Sequence, residues 1–282
     1  MGITMGDKIK EIFDISNKCI LITGATGFFG RYISRSFLEV GAKVILLGRS
    51  NRLLEQTEKY QKEFGKDRVF SFQIDFYKRK ELVNILKKIV KKFDIDVLIN
   101  NAYDLSKKTG FNTPQGYLEN STYNQWKAAF ESGIYWAVLT TQIIGEQFKK
   151  KKRGSIINIS SMYGIISPNP KLYEGTKFFN PPTYSVNKAG IIALTRYTAS
   201  FFGQYGVRCN VILPGPFSNV ETETPNSVAP NDPFLEKLKR NTVLHRIGHP
   251  NDLIGILIYL ACDASSFMTG QTIIIDGGWT II

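Results

Sequence analysis

Tyr184 and Lys188 are the two side chains of this sequence whose types and spacing could do chemistry together. Pro181 and Pro182 precede them and apolar residues then recur at helical spacing, which predicts a helix that begins near Thr183. Residues four positions apart share one helical face, so the ammonium can approach the phenol. A phenol has an unperturbed pKa of about 10, and a nearby ammonium favours its ionised form. We therefore expect a lowered pKa at Tyr184 and a general acid or base that works near neutral pH.

A second Tyr-x-x-x-Lys motif, from Tyr173 to Lys177, competes with this pair. Gly175 weakens a helix, and the Asn-Pro-Pro run at 180–182 ends one before it can develop. Only Tyr184 opens a sustained helical pattern, so we assign the chemistry to it. Tyr173 then becomes a candidate substrate contact, or part of a surface loop without a role.

A glycine-rich turn follows the first apolar run of the chain. The run at 19–23 predicts a buried strand, the turn reads Gly-Ala-Thr-Gly-Phe-Phe-Gly over 24–30, and a helical pattern continues to about Val40. Glycines let the backbone approach a pyrophosphate, and a helix N-terminus supplies N–H donors. This placement between a first strand and a first helix indicates a dinucleotide site.

The end of the second predicted strand, at 43–47, bears on which dinucleotide binds. An acidic residue there would take the ribose 2′-hydroxyl of NAD, whereas basic residues accommodate the 2′-phosphate of NADP. The sequence has no acid at this place but has Arg49 and Arg52. It therefore predicts NADP(H) in preference to NAD(H), unless both arginines are ordinary solvated loop charges.

Strands alternate with helices along the rest of the chain. Further strands are predicted at 69–73, 96–100, 155–159, 207–213 and 272–275, and further helices at 7–16, 51–63, 79–92, 123–150 and 251–262. This alternation predicts an α/β fold, a Rossmann-type doubly wound sheet of seven parallel strands with helices on both faces. No linker or low-complexity run divides the chain. We expect a single domain over 1–282, with a lead-in at 1–17 and a surface loop at 104–121.

Composition narrows the function classes. The formal charge is +12, but the lysines are scattered along predicted helices without aromatic interleaving, so we expect no nucleic-acid partner. No apolar run reaches the roughly 18 residues of a membrane span, and the first residues lack a signal-peptide core.

Cys19, Cys209 and Cys262 are odd in number and widely spaced, which favours buried free thiols in a reducing cytoplasm. His245 and His249 lie in predicted loops without carboxylate neighbours, so we predict no metal site.

Five short motifs occur in a characteristic order. They are the Thr-Gly-rich turn at 23–30, Asn-Asn-Ala at 100–102, Ser-Ser at 160–161, Tyr-x-x-x-Lys at 184–188 and Pro-Gly at 214–215. With this order and its tail, 246–252 and 268–278, nearly the whole chain resembles the compact, single-domain branch of the short-chain dehydrogenase/reductase family. The resemblance implies an NAD(P)-dependent enzyme that acts on a small-molecule substrate. It also implies a homodimer or homotetramer, paired through the long helices that flank the sheet.

The resemblance implies roles for individual residues. Tyr184 would exchange a proton with the substrate oxygen, Ser161 would hydrogen-bond that oxygen, and Lys188 would bind the nicotinamide ribose and lower the tyrosine pKa. The segment 216–250 would form a substrate lid. The residues implied in cofactor binding are Gly24, Thr26, Gly27, Phe29, Gly30, Arg49, Arg52, Asp75, Asn101, Ala102, Tyr184, Lys188, Pro214, Gly215 and Phe217.

Three positions depart from the family pattern. Gly24, Gly27 and Gly30 have the spacing of the family's extended branch, whereas the tail is that of the compact branch, and we follow the tail. Tyr103 stands where the family's Asn-Asn-Ala-Gly turn has its glycine, which adds bulk near the cofactor. Gly133 stands where the family has a helix asparagine that holds a relay water behind the lysine. Either another group supports that water or the relay differs.

The long segment between Ser161 and Tyr184 suggests a substrate. Its runs at 160–164, 167–170, 172–175 and 180–184 are similar to those of oxidoreductases of bacterial surface-sugar pathways, including legionaminic-type nonulosonic acids. We predict hydride transfer to or from a hydroxyl or carbonyl carbon of a sugar phosphate or nucleotide sugar, with Tyr163 and Tyr173 as substrate contacts. The alternatives are a sugar epimerase or isomerase with transient hydride transfer, and a dinucleotide-sensing protein without catalysis.

Overall fold

A computed structural model describes residues 4–220 and 227–282 and confirms the predicted seven-stranded parallel sheet. The strands are β1 (Cys19–Thr23), β2 (Lys43–Gly48), β3 (Val69–Gln73), β4 (Val97–Asn100), β5 (Gly154–Ile159), β6 (Val207–Pro214) and β7 (Thr272–Ile275). Their order across the sheet is β3-β2-β1-β4-β5-β6-β7. Each neighbouring pair is parallel, as crossover connections through helices require.

Helices cover both faces of the sheet. They are α1 (Met5–Phe13), α2 (Phe28–Glu39), α3 (Arg52–Phe64), α4 (Arg79–Lys92), α5 (Tyr123–Phe130), α6 (Trp136–Lys151), α7 (Pro170–Tyr173), α8 (Pro182–Gly203), α9 (Pro233–Arg240) and α10 (Ile254–Ala261). Ile20 and Ile22 of β1 belong to the core beneath α2, α3 and α10. Leu21 belongs to the opposite core, beneath α4, α6 and α8. Because both faces of β1 are covered, its sequence is continuously apolar.

The long helix predicted over 123–150 is interrupted. A π-helical turn, Glu131–Tyr135, separates α5 from α6 and contains Gly133. Glycine is a weak helix former, and single π turns inside α-helices are typical of functional sites. Hydrophobic spacing alone does not detect such a turn, because the apolar face continues on both sides of it.

Two segments predicted as loops have short helices. The loop at 104–121 contains 3₁₀ turns at Lys107–Thr109 and Pro114–Gly116. The segment at 216–250 contains α9. Asp232 caps the N-terminus of this helix, and its carboxylate accepts from the N–H of Phe234 at 2.9 Å. Residues 221–226 of the predicted lid lie outside the described residues.

The lead-in helix begins earlier than its apolar pattern suggested. Thr4 and Asp7 form a capping box, in which each side chain accepts from the backbone of the other, so α1 starts at Met5. None of its residues is buried. All three cysteines are buried and free. In the part of the chain that the structure describes, no helix is both long and apolar enough to cross a bilayer.

Candidate active site

The candidate site lies at the carboxyl ends of β1 and β4, where the strand order reverses. Because β2 flanks β1 on one side and β4 on the other, the loops that leave these strands separate and open a crevice. A cleft of about 410 Å³ occupies this place. It is the position at which open α/β sheets bind their ligands.

The glycine turn forms one wall of the cleft and fits a pyrophosphate. Gly24 has a φ of 66°, and a Cβ on it would lie 2.9 Å from Cα of Ala102. A Cβ on Gly30 would overlap the Gly24 carbonyl oxygen. Gly27 is the N-cap residue of α2 and provides no side-chain cap. The first turn of α2 therefore faces the cleft with backbone N–H donors, which suits a bound phosphate.

Hydrogen bonds join the turn after β1 to the turn after β4. The Thr23 hydroxyl accepts from the backbone N–H groups of Asn101 and Ala102, both at 3.0 Å. The Asn101 amide donates to the carbonyl oxygens of Thr23 and Gly24, both at 3.1 Å. Asn101 thus holds the cleft walls together, in addition to the cofactor contact that the sequence predicted.

The structure brings most of the sequence-predicted site residues to this one cleft. Those that line it are Gly24, Thr26, Gly27, Phe29, Arg49, Arg52, Asn101, Ala102, Ser161, Tyr184, Lys188, Pro214, Gly215 and Phe217. Gly30, Asp75, Tyr163 and Tyr173 do not line it. Gly30 packs beneath the turn, and an Asp75 carboxylate oxygen accepts from the N–H of Tyr77 at 3.1 Å. Because neither Gly30 nor Asp75 lines the cleft, the cofactor contacts of these two residues stay predictions.

The serine, the tyrosine and the lysine are positioned by β5 and α8. Ser161 follows β5, and its hydroxyl accepts from the N–H of Tyr163 at 3.2 Å. Tyr184 and Lys188 lie on the first turns of α8, and Nζ of Lys188 lies 5.4 Å from the ring centroid of Tyr184. Nζ donates to the Ile159 carbonyl oxygen at 3.0 Å. Ser161 and Lys188 are buried at the cleft and Tyr184 is partly exposed to it, so water competes little with the interactions of the serine and the lysine.

Burial decides the protonation of this pair. It raises the pKa of the Tyr184 phenol to about 12, although a hydrogen bond with Ser161 acts in the opposite direction. Burial also lowers the pKa of the Lys188 ammonium to about 7. The lowered tyrosine pKa predicted from the spacing is therefore wrong for this structure, because the cost of a buried phenolate exceeds the attraction of the lysine. The tyrosine is a protonated donor, and the lysine can change its charge near neutrality.

The competing motif does not form a comparable pair. Tyr173 is the last residue of the short α7, and Lys177 is exposed outside any helix. The Tyr173 hydroxyl is hydrogen-bonded to that of Tyr163 at 2.9 Å and accepts from the Asn180 amide at 2.5 Å. The geometry thus supports Tyr184 as the reacting tyrosine and leaves Tyr173 in a polar network beside the cleft.

Sequence reasoning missed a carboxylate at the adenosine end of the cleft. A guanidinium nitrogen of Arg49 lies 3.3 Å from the carboxylate of Asp104, a buried residue that lines the cleft. The Tyr77 hydroxyl donates to the same carboxylate at 2.8 Å. Asp104 begins the segment predicted as a surface loop, and its position just after the turn that follows β4 was the available signal. The positive charge of Arg49 is therefore partly balanced, whereas Arg52 has no ion-pair partner within the described residues.

The reversed strand order, the glycine turn, and the serine, tyrosine and lysine that line one cleft together define a dinucleotide-dependent oxidoreductase of the Rossmann class. Comparison with known families makes this more specific. A sequence profile described as Enoyl-(Acyl carrier protein) reductase matches residues 24–280. The chain belongs to the short-chain dehydrogenase/reductase family and is an enzyme of the NAD(P)-dependent type.

Several relatives match nearly the full length of this chain. A sorbose reductase of Schizosaccharomyces pombe is 30% identical over 96% of this chain and 99% of its own. The post-translational flagellin modification protein A of Campylobacter coli is 28% identical over 94% of this chain and 99% of its own. A short-chain dehydrogenase from Leptospira borgpetersenii, solved with bound NAD⁺, is 29% identical and has a TM-score of 0.76, with 95% of this chain and 94% of that chain covered.

Proposed function

We propose that this enzyme transfers a hydride between NADP(H) and a hydroxyl or carbonyl carbon of a carbohydrate-type substrate, such as a sugar phosphate or nucleotide sugar. The observation that carries the proposal is that Ser161, Tyr184 and Lys188 together line the cleft that the glycine turn forms. A protein that only sensed a dinucleotide would have no need of this set. A sorbose reductase among the relatives supports the carbohydrate class.

The residues of the cleft would divide the chemistry as follows. A bound nicotinamide supplies or accepts the hydride. In the reducing direction the Tyr184 hydroxyl donates its proton to the substrate oxygen, and its raised pKa keeps that proton in place until reaction. Ser161 hydrogen-bonds the same oxygen and fixes its orientation. Lys188, when charged, stabilises the phenolate that remains after proton transfer.

The segment between β5 and α8 supports a hydroxyl-bearing substrate. The hydroxyls of Tyr163 and Tyr173 and the amide of Asn180 form one hydrogen-bonded row. Tyr163 lies in the turn that follows Ser161, and Asn180 lies four residues before Tyr184, so both ends of this row adjoin the catalytic residues in sequence. Such hydroxyls and amides can exchange hydrogen bonds with the hydroxyls of a sugar.

We propose the segment 216–250 as the substrate lid. Phe234 of α9 packs against Tyr173 at 5.7 Å and Phe178 at 5.2 Å between ring centroids. Leu172 and Leu238 extend the same apolar cluster. This contact joins the lid to the β5–α8 segment, so the two would act on the substrate together. We also propose one domain over 1–282, since all seven strands belong to one sheet.

The substrate class can be tested by a cofactor-linked screen. Purified protein is mixed with NADPH or NADP⁺ and a panel of sugar phosphates, nucleotide sugars, free ketoses and polyols, with cyclic ketones and acyl thioesters as the contrasting set. We expect turnover to be fastest within the carbohydrate set. Faster turnover of the thioesters or cyclic ketones would refute the carbohydrate class. An altered sugar without net cofactor change would indicate an epimerase, and binding without any turnover would indicate a sensor.

Replacing Arg52 by glutamine is expected to weaken NADPH binding about tenfold and to leave NADH binding within twofold. Arg52 lines the cleft and forms no ion pair with any described residue, so its charge is available to a 2′-phosphate, and such a charge-assisted contact contributes roughly 1.5 kcal/mol. The measurement is titration of both cofactors by fluorescence. Arg196→Gln, an exposed arginine of α8 outside the cleft, is the control. Tighter binding of NADH than of NADPH by the unaltered protein would contradict the cofactor proposal.

We propose a homodimer or homotetramer in the cytoplasm. Val186, Tyr197 and Phe201 expose apolar surface along α8, and Tyr123 and Phe130 do so along α5, which would suit pairing of these helices. The three unpaired thiols support a reducing compartment. Sedimentation equilibrium is expected to give a mass at least twice that of one chain. The Tyr197→Lys variant is expected to give a lower mass than the unaltered protein.

A further inference from the structure

Tyr103 lies against the catalytic pair from the side of β4. Its ring packs edge-to-face on Tyr184, with centroids 5.3 Å apart and planes at 87°, and on Phe111, with centroids 6.0 Å apart. Nζ of Lys188 lies 4.9 Å from the centroid of the Tyr103 ring. By geometry the buried Tyr103 hydroxyl completes no hydrogen bond within the described residues, and the Asn187 side chain is the polar group that acts on it. The ring is therefore the part of this cleft-lining side chain that contacts the catalytic pair.

Gly133 provides the space that this ring occupies. A Cβ built on Gly133 would lie 2.8 Å from Cε2 of Tyr103 and 2.7 Å from Cβ and Cγ of Asn187. Contacts this short are not made by real Cβ atoms, so any other residue at 133 would displace one of its two neighbours. The π turn around Gly133 brings the backbone of the α5–α6 connection against the ring. The bulky residue at 103 and the glycine at 133 therefore depend on each other.

We propose that Tyr103 is a positioning residue for Lys188, and that Gly133 is required because it makes room for the Tyr103 ring. This inference rests on the proposed function of Lys188 at the cofactor. The lysine nitrogen has one hydrogen bond, to the Ile159 carbonyl oxygen, and no second oxygen acceptor within residues 4–220 and 227–282. The negative face of the Tyr103 ring attracts the ammonium and excludes water behind it, which fixes the direction in which Nζ points. The same ring supports the edge of Tyr184, so one side chain orients both members of the pair.

Two substitutions at Tyr103 separate the ring from the hydroxyl. Tyr103→Phe keeps the ring, so we expect NADPH dissociation constant, kcat and KM within twofold of the unaltered protein and an equal or higher Tm. Tyr103→Leu removes the ring. We expect it to lower kcat at least tenfold on the best substrate of the screen, to leave KM within twofold, and to weaken NADPH binding several-fold.

The control for lost packing is Phe111→Leu. Phe111 is buried and packs on the rings of Tyr103 and Tyr184, but it does not line the cleft, and the cation–ring contacts of Lys188 within the described residues are with the two tyrosines. We expect a Tm loss similar to that of Tyr103→Leu without a change in NADPH binding. The proposal is overturned if Tyr103→Leu lowers Tm while NADPH binding and kcat stay unchanged, because the ring would then only fill space. It is also overturned if Tyr103→Phe is as harmful as Tyr103→Leu.

A second variant keeps the test decisive if Tyr103→Leu does not fold. Gly133→Ala crowds the ring and does not remove it, and we expect weaker NADPH binding. Gly203→Ala, at the end of α8 where nothing lies within 4 Å of an added Cβ, is the matched control and should bind NADPH normally. Unchanged NADPH binding by Gly133→Ala would overturn the spatial part of the proposal. Since NADPH binding needs no substrate, this arm gives an answer even if the screen finds no turnover and the proposed function fails.

Discussion

Tyr184→Phe is expected to lower kcat/KM by a factor of about 10² to 10⁴, the usual contribution of a positioned general acid. The phenyl ring keeps the edge-to-face contacts with Tyr103 and Phe111, each at 5.3 Å, so the cleft keeps its shape. Only the proton donor to the substrate oxygen is lost. Initial rates of NADPH oxidation with the best carbohydrate substrate measure the effect. Tm should stay within a few degrees of the unaltered protein.

The matched control is Tyr173→Phe, the same change in the competing motif. Tyr173 does not line the cleft, and its hydroxyl contacts Tyr163 and Asn180. We expect its main effect on KM, by less than about tenfold, because a hydrogen bond in the substrate network contributes roughly 1 kcal/mol. If Tyr173→Phe abolished turnover while Tyr184→Phe retained it, the assignment of the reacting tyrosine would be reversed.

The sheet could be predicted from the sequence because each of its strands is a short, largely apolar run between turn signals. The run at 19–23 matches β1 at both ends, and 69–73 and 272–275 match β3 and β7. Parallel strands that are covered on both faces have this composition, so a short apolar run predicts such a strand directly. Helix ends were less certain, since capping residues such as Thr4 decide them and the apolar spacing does not.

Most of the residues that line the cleft could also be predicted, because the carboxyl ends of parallel strands meet at one edge of the sheet. The residues that follow β1, β4, β5 and β6 converge there, although they are far apart in sequence. What spacing could not supply is the environment of each group. The pKa of Tyr184 moves upward because of burial, which the Tyr-x-x-x-Lys pattern does not encode.

Contacts between segments distant in sequence were beyond prediction. Arg49 and Asp104 meet across the cleft, and nothing in either local sequence indicates the other. Tyr103 and Gly133 each depart from the family pattern, and only the structure shows that the two residues are neighbours. Such pairs depend on how α5 and α6 pack beside β4, and hydrophobic periodicity carries no information about that packing at the scale of one side chain.

Lys188→Met is expected to remove turnover and yet to stabilise the folded protein. Burial lowers the lysine pKa from 10.5 to about 7, a shift that corresponds to roughly 5 kcal/mol of cost for the charged form below pH 7. Methionine has a similar length and no charge, so the variant does not have this cost. The gain in stability is reduced by about 1 kcal/mol because the hydrogen bond to the Ile159 carbonyl oxygen is lost. We expect kcat/KM to fall at least a hundredfold. Free energies of unfolding in urea at pH 6, 8 and 10 give the stability.

The gain in stability that we expect from Lys188→Met depends on pH. Between about pH 7 and 10.5 the unfolded protein holds a proton on Lys188 that the folded protein has released, so the stability of the unaltered protein rises with pH in that window. The advantage of the methionine variant should therefore be largest at pH 6, smaller at pH 8 and almost absent at pH 10. Other titrating groups cancel in the difference between the two proteins.

Lys177→Met, in the competing motif, is the matched control. Lys177 is exposed, so its ammonium is already hydrated in the folded protein, and the substitution should change the free energy of unfolding by less than about 0.5 kcal/mol at every pH. A Lys188→Met variant that is less stable than the unaltered protein at pH 6 would contradict the burial cost. If the variant is more stable and inactive, Lys188 is a residue that the fold keeps at an energetic disadvantage, because the chemistry of Tyr184 requires a cation at that place.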